Sequence, residues 1–170
     1  MSNIKNLIQR HNKRTLNNIE KTEKTKTEPI ESLCNCRNKE QCPIKNKCLT
    51  KNVIYKATLT TNNETMNYIG STGGPFKTRW YGHIRDLKVY KENGTQLSKY
   101  IWKLKNSNTE YTINWNILHH FGEVRNPQRI CMTCAHEKLE IANANKKTSL
   151  NRRSELVCTC IHFKKLYFKT

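Results

Sequence analysis

Three features of this sequence predict an α+β fold, a small three-stranded antiparallel sheet flanked by helices. Two short alternating runs, Val53–Leu59 and Met66–Ile69, lie either side of the polar turn Thr61-Asn-Asn-Glu64, the pattern of a hairpin. Phe76, Trp80, Ile84 and Leu87 recur at spacings of four, four and three, which is one face of a helix. Ile113, Trp115 and Ile117 alternate with polar residues and place a third strand near 112–119.

The elements follow in order along the chain. Residues 1–33 read as a basic arm and linker, partly disordered. Ile4, Leu7, Ile8 and Leu16 could line a short helix, but Ile19–Pro29 carries no large apolar residue after Ile19. Residues 34–50 form a cysteine-rich segment, and 51–170 the main domain with a basic tail. Gly70 is expected to stop the second strand. Ser71-Thr72-Gly73-Gly74-Pro75 then supplies a helix start. Gly94-Thr95 separates the first helix from a second one marked by Leu97, Tyr100, Ile101 and Leu104. Asn126-Pro127 marks a loop, and a last helix covers about 132–144. Trp80, Trp102 and Trp115 fit the core periodicity.

Composition bounds the function. The 170 residues hold 31 Lys+Arg against 13 Asp+Glu, a net +18, with only 35% hydrophobic residues. Seven basic and four acidic residues in 1–33 leave +15 on the remainder. No apolar run approaches the ~20 residues of a membrane span. The N-terminus lacks the apolar stretch of a secretory signal. A basic chain of this kind points to an acidic polymer, most simply nucleic acid. Lys45, Lys47, Lys51, Lys99, Lys103, Lys105, Arg152, Arg153, Lys164, Lys165 and Lys169 are candidates for phosphate contacts that hold without reading sequence. A merely solvated basic surface is the competing account.

Eight cysteines without an export signal suggest metal rather than disulfides. Cys34-x-Cys36-x5-Cys42-x5-Cys48 has the compactness of a structural zinc site, four thiolates closing a tetrahedron. Pro43 and the charged residues between offer no core of their own. Cys131-x2-Cys134 precedes the last helix, and Cys158-x-Cys160-x-His162 lies near the C-terminus. Those five candidates compete for four positions of a second zinc, or are small buried hydrophobes.

Six further residues carry possible chemistry. Tyr55 and Tyr68 fall thirteen apart across the hairpin, and Arg79 and His83 share one helix face at i,i+4. Glu137 lies within the last helix, and Asn151 just beyond it. Phenol, guanidinium, imidazole and carboxylate together supply a proton acceptor, a cation for phosphorane charge and a ligand for a hard metal. Singly, each has a plainer account: strand packing for the tyrosines, a solvated face for Arg79, His83 and Glu137, a cap or turn for Asn151.

Val53-Ile54-Tyr55 and Tyr68-Ile69-Gly70, with Ser71-Thr72 following, resemble the two halves of the GIY-YIG endonuclease signature. The narrower resemblance is to the GIY-YIG domain of Penelope-like retroelements, which follows a reverse transcriptase. It is carried by Cys34/Cys36/Cys42/Cys48, Phe76-Lys-Thr-Arg79, Leu97–Leu104, Cys131-Met-Thr-Cys134-Ala-His-Glu137-Lys-Leu139 and Leu150-Asn-Arg-Arg-Ser-Glu-Leu156, over about residues 34–165. Ile8–Arg14 resembles the segment joining polymerase to nuclease. Val53 stands where the family has glycine.

The resemblance implies a GIY-YIG nuclease fold with zinc-binding clusters, and a metal-dependent DNA endonuclease that leaves a 5′-phosphate and a 3′-hydroxyl able to prime reverse transcription. Tyr55 would help accept the proton of the attacking water, and Tyr68 would bond near the scissile phosphate. Arg79 would stabilise phosphate charge and His83 would assist proton transfer. Glu137 would hold one Mg²⁺ or Mn²⁺, and Asn151 would orient the phosphate or a metal-bound water. For the second zinc the resemblance favours Cys131, Cys134, Cys160 and His162. Implied partners are DNA and a reverse transcriptase domain or its RNA template, with no membrane, and the implied location is the nucleus. The rival function is a DNA- or RNA-binding zinc module with weak or no cleavage. A zinc-held interaction domain would explain the cysteines alone.

Overall fold

The computed structural model describes residues 33–122 and 131–157, all within the unit Ser32–Thr170. The arm expected over 1–33 lies outside them apart from Leu33, as do the Asn126-Pro127 loop, Cys158, Cys160, His162 and the tail lysines. The described elements are β1 (Val53–Thr60), β2 (Thr65–Thr72), α1 (Phe76–Lys88), α2 (Gln96–Asn106), β3 (Thr112–His120), α3 (Met132–Asn143) and a 3-10 turn (Arg153–Val157). The fold is α+β, with one three-stranded sheet in the order β2-β1-β3 and both pairings antiparallel.

β1 is central, and its sequence suits that place. Val53, Ile54, Tyr55, Ala57 and Leu59 are buried. Val53, Tyr55, Ala57 and Leu59 share a core with Tyr68 and with Phe76, Leu87, Leu97, Ile101 and Leu104 of the first two helices. Val53 is fully enclosed, so the side chain standing at the family's glycine position is absorbed by the core. Ile54 points to the opposite face and meets Ile69, Phe121, Met132 and Ile141. α1 and α2 therefore cover one side of the sheet, and α3 covers the end of the other.

The hairpin turn closes on itself, with Thr61 N–H donating to the Glu64 carbonyl (2.9 Å) and Glu64 N–H to Thr61 Oγ1 (3.1 Å). α2 starts on the Thr95 hydroxyl, which accepts from Ser98 N–H (3.2 Å), a side-chain N-cap. It ends at Asn108, whose φ of 49° is a left-handed stop that asparagine tolerates. The three tryptophans are half-buried: Trp80 and Trp115 pack against the core, and Trp102 donates Nε1–H to the Asp86 carbonyl (3.1 Å).

Two local expectations need correction. Gly70 does not stop the second strand; β2 runs on to Thr72. Gly70 stands opposite Tyr55 in the register, and a Cβ there would lie 2.5 Å from the Tyr55 phenol oxygen. The glycine serves close approach, not termination. The cysteine segment is also not without a core, since Ile44 and Cys48 are buried in the same cluster as β1.

Candidate functional site

The phenol of Tyr55 is the hub of the site. Its ring lies across Gly70 and edge-on to Phe76 (5.2 Å between centroids). The β1–β3 pairing shifts register between Ile54 and Tyr55, an irregularity of the kind that re-aims a strand side chain. Arg79, one turn into α1, donates Nε–H to the Tyr55 oxygen (3.0 Å), and lies close enough to the Tyr68 phenol for each to act on the other's charge state. His83, one turn further, places Nε2 2.8 Å from the same Tyr55 oxygen. The i,i+4 spacing of Arg79 and His83 thus brings both onto one phenol.

Burial sets the protonation states. Tyr55 has no exposed surface and His83 is 2% exposed. Burial raises the Tyr55 phenol above its ordinary value, against the pull of Arg79. Burial likewise raises Tyr68, with Tyr55 adding to the rise. His83 is driven down to about 3 by burial and by the Arg79 charge, so near neutrality its ring is uncharged and has one acceptor nitrogen. The Tyr55 oxygen already accepts from Arg79. We therefore assign its own proton to His83 Nε2, with the imidazole proton on Nδ1.

Glu137 and Asn151 reach this cluster along the outer edge of β2. Alternate residues of that strand turn their N–H groups away from β1, and each finds a different acceptor. Asn67 N–H donates to the Thr148 carbonyl (2.7 Å), and its own carbonyl accepts from Leu150 N–H (2.8 Å). Ile69 N–H donates to Asn151 Oδ1 (2.8 Å), while Asn151 Nδ2 returns a bond to the Ile69 carbonyl (2.8 Å). The Asn151 amide so replaces one peptide of an added strand. Ser71 lies beside the Glu137 carboxylate, where its backbone N–H and side chain act to hold that carboxyl down. Glu137 is close enough to both phenols and to Arg79 to act on their charge states. Burial first, and then the neighbouring Glu155, lift its carboxyl above the usual range.

The structure thus brings Tyr55, Tyr68, Arg79, His83 and Glu137 together from four elements. Asn151 is joined to the group through the β2 backbone, with its amide committed to Ile69 and Glu155. Sequence reasoning missed Ser71 and Glu155. Ser71 lay within the motif Tyr68-Ile69-Gly70-Ser71, two residues on from Ile69 on the same strand edge. Glu155 had no separate signal beyond its place three residues after Arg152.

The four cysteines of the first cluster also converge. Their sulfurs all lie within 4.8 Å of one another, with Cys36–Cys48 and Cys34–Cys48 at 3.5 Å and Cys34–Cys42 at 3.7 Å. A disulfide needs about 2.05 Å, whereas thiolates at ~2.3 Å around one tetrahedral ion stand ~3.8 Å apart. The group can hold a metal ion, and its spacing is that of structural zinc. Cys36 N–H donates to Cys34 Sγ (3.3 Å) and Asn46 N–H to Cys42 Sγ (3.3 Å), bonds that favour thiolate. The Cys36 N–H bond lowers Cys34 to about 7, while burial lifts Cys48 to about 12. At Cys131 the geometry repeats, its sulfur accepting from Cys134 N–H (3.4 Å). The other candidates for that second site lie outside the described residues. Among the described residues the first cluster is the one group of three or more Cys, His, Asp or Glu ligands.

This cluster is tied to the helix bearing Arg79 and His83. α1 has no side-chain N-cap. Its first N–H groups go instead to the cysteine segment, Phe76 N–H to the Thr50 carbonyl (3.0 Å) and Lys77 N–H to the Cys48 carbonyl (2.7 Å). These are donors that a helix start leaves unmet. Lys77 Nζ reaches back to Asn35 Oδ1 (2.7 Å) beside the thiols.

Of the remaining candidate lysines, Lys45, Lys47, Lys51, Lys103 and Lys105 are exposed and Lys99 half-buried. No helix among the described residues is long and apolar enough to cross a membrane. Compared with family models, curated proteins and solved structures, the chain matches none of them.

Proposed function

We propose that this protein is a metal-dependent DNA endonuclease of the GIY-YIG kind, of Penelope-like retroelement origin, that nicks target DNA to leave a 3′-hydroxyl. The observation that carries the reading is the meeting of two phenols, a guanidinium and a carboxylate at the outer end of the β1–β2 hairpin. Strand packing accounts for each tyrosine alone, but not for Arg79 bonded to Tyr55 and set beside Tyr68, or for Glu137 brought close to all three.

Glu137 fits a hard divalent ion: its carboxyl lies beside Ser71, is lifted by burial, and has a second carboxylate, Glu155, nearby. A single carboxylate plus waters is an ordinary Mg²⁺ donor set. Bound there, Mg²⁺ or Mn²⁺ would polarise the phosphate and lower the pKa of a water. Arg79, bonded to the Tyr55 phenol, neutralises charge gathering on the phosphate. Tyr68 bonds near the scissile phosphate. As the oxygen of the attacking water bonds to phosphorus, its proton passes to the Tyr55 oxygen and the Tyr55 proton to His83 Nε2. The O3′–P bond breaks, the departing O3′ takes a proton from a solvent water, and His83, held well below its ordinary value, gives its proton up again. Asn151 holds β2 in place. Zinc in the first cluster keeps α1 in position, and a second zinc at Cys131, Cys134, Cys160 and His162 would anchor the start of α3.

One observation favours the rival, a nucleic-acid-binding module: Tyr55 has no surface open to solvent. Supercoiled plasmid decides between them. With Mg²⁺ or Mn²⁺ the protein is expected to yield relaxed circles, and Glu137→Ala and Arg79→Ala to lose at least ~10²-fold in rate. DNA binding without cleavage in either metal would select the binding module.

A further inference from the structure

Glu155 has so far entered only as a carboxylate near Glu137, yet it occupies a particular place. One oxygen, Oε2, accepts from Asn151 Nδ2 (2.8 Å) and from Arg152 N–H (3.1 Å). The second bond closes the start of the 3-10 turn in the manner of a capping box, an acid three residues on reaching back to the N-cap N–H. The first decides which way the Asn151 amide lies. Of that amide's groups, Oδ1 takes the Ile69 N–H, one Nδ2 proton goes to the Ile69 carbonyl and the other goes to Glu155. Flipping the amide would set donor against donor at Ile69 and acceptor against acceptor at Glu155. The Ile69 peptide groups favour this orientation of Asn151, and Glu155, by taking the remaining Nδ2 proton, reinforces it.

We propose that Glu155 is a positioning residue for the nuclease site: by locking the Asn151 amide onto Ile69 it fixes the edge of β2 that presents Tyr68 and sets Ser71 beside Glu137. The inference rests on the nuclease reading for its catalytic consequence, but the lock itself is a matter of hydrogen bonds. β2 is an edge strand of the sheet, and on its outer side Asn67 is bonded to Thr148 and Leu150 while Ile69 is bonded to Asn151. Tyr68 precedes Ile69, and Ser71 follows two residues later. A slack Ile69 would loosen both.

The test uses the full zinc-loaded chain with Glu155→Ala and Glu155→Gln. Glutamine keeps an oxygen that can accept both bonds and loses only the charge. Two readouts are taken: hydrogen exchange at the Ile69 and Asn67 amides, and kcat and KM for plasmid nicking. In Glu155→Ala, Ile69 exchange is expected to rise ~10-fold, about one hydrogen bond's worth, while Asn67, bonded to a backbone carbonyl, stays within about twofold. Its kcat is expected to fall ~10-fold with KM little changed, and Glu155→Gln to recover both measurements to within about threefold.

Unchanged Ile69 exchange in Glu155→Ala would overturn the lock. So would a glutamine variant as impaired as alanine, because charge rather than placement would then be the cause. Faster Ile69 exchange with unaltered kcat would overturn the link to the site. Should Glu155→Ala fail to fold, Glu155→Asp, one methylene shorter, takes its place with the same expectations. If the wild-type chain does not nick at all, the nuclease reading and the catalytic half of the proposal fail together. The exchange measurement still accepts or rejects the lock.

Discussion

His83 shows how much one enclosed side chain decides. It is pressed among the rings of Tyr55, Tyr68 and Trp115, with centroids 5.8, 6.0 and 5.2 Å away. Arg79 adds a nearby positive charge. Both effects hold its proton off until about pH 3, against 6.5 for a free imidazole. An unfolded chain therefore takes up a proton at His83 below about pH 6.5 that the folded chain refuses. Folding stability attributable to this site is complete above that value and declines as the pH falls towards 3, by roughly 1 kcal/mol per pH unit. Thermal midpoints measured between pH 7 and 4 should fall more steeply for the wild type than for His83→Gln, whose amide oxygen can still accept from Tyr55. Parallel curves would show that His83 takes up its proton as readily in the folded chain as in the unfolded one. The same residue marks where sequence reading stops short. Its i,i+4 partnership with Arg79 was legible as a shared helix face. That the face turns inward onto a phenol was not, because periodicity alone cannot tell an inward polar pair from a solvated one.

The helices and strands follow from patterns that need no tertiary information. The 3.6-residue repeat through Phe76, Trp80, Ile84 and Leu87 and the alternation in β1 and β3 put each element within a residue or two of its place. What the pattern hides is the joining of elements through backbone groups, which carry no side-chain signature. The start of α1 is the clearest case, since its caps are the carbonyls of Cys48 and Thr50. Thr50 is itself held by its hydroxyl on the Lys47 carbonyl (2.7 Å), so the cysteine segment and the helix form one mechanical unit. Cys48, raised to about 12, is a thiolate only when a metal takes its proton. Stripping the protein with a strong chelator should speed exchange at the Phe76 and Lys77 amides by ~10-fold or more and leave Ala57, in the central strand, protected. No change at those two amides would mean that the segment keeps its shape without metal. Metal analysis of the untreated protein should return about one zinc per chain for the first cluster, or about two if the Cys131/Cys134 pair is also completed.

For the molecule as a whole the dominant quantity is charge. A net +18 on 170 residues gives a field that attracts any polyanion and releases its counterions. If DNA is the partner, log affinity should fall linearly with log salt. A slope between about −4 and −8 would match a groove's length of phosphate contacts, and charge reversal at Lys103 and Lys105 should flatten it by ~1 to 2. A slope near zero would remove DNA binding from the account. The composition made this legible at once. The assembly of the site was not, since Glu137 and Asn151 reach the hairpin only because the chain after α3 lays Thr148 and Leu150 alongside Asn67.

That alignment bears on how copies of the chain meet. A bare sheet margin is a template on which a second molecule can stack its own strand. On the β2 side, the outward donors of Asn67 and Ile69 are engaged within the chain, and Ser71 lies against Glu137. A foreign strand could enter there only by evicting Thr148, Asn151 and Glu137. Self-association through that margin and an assembled site are therefore mutually exclusive states of this protein.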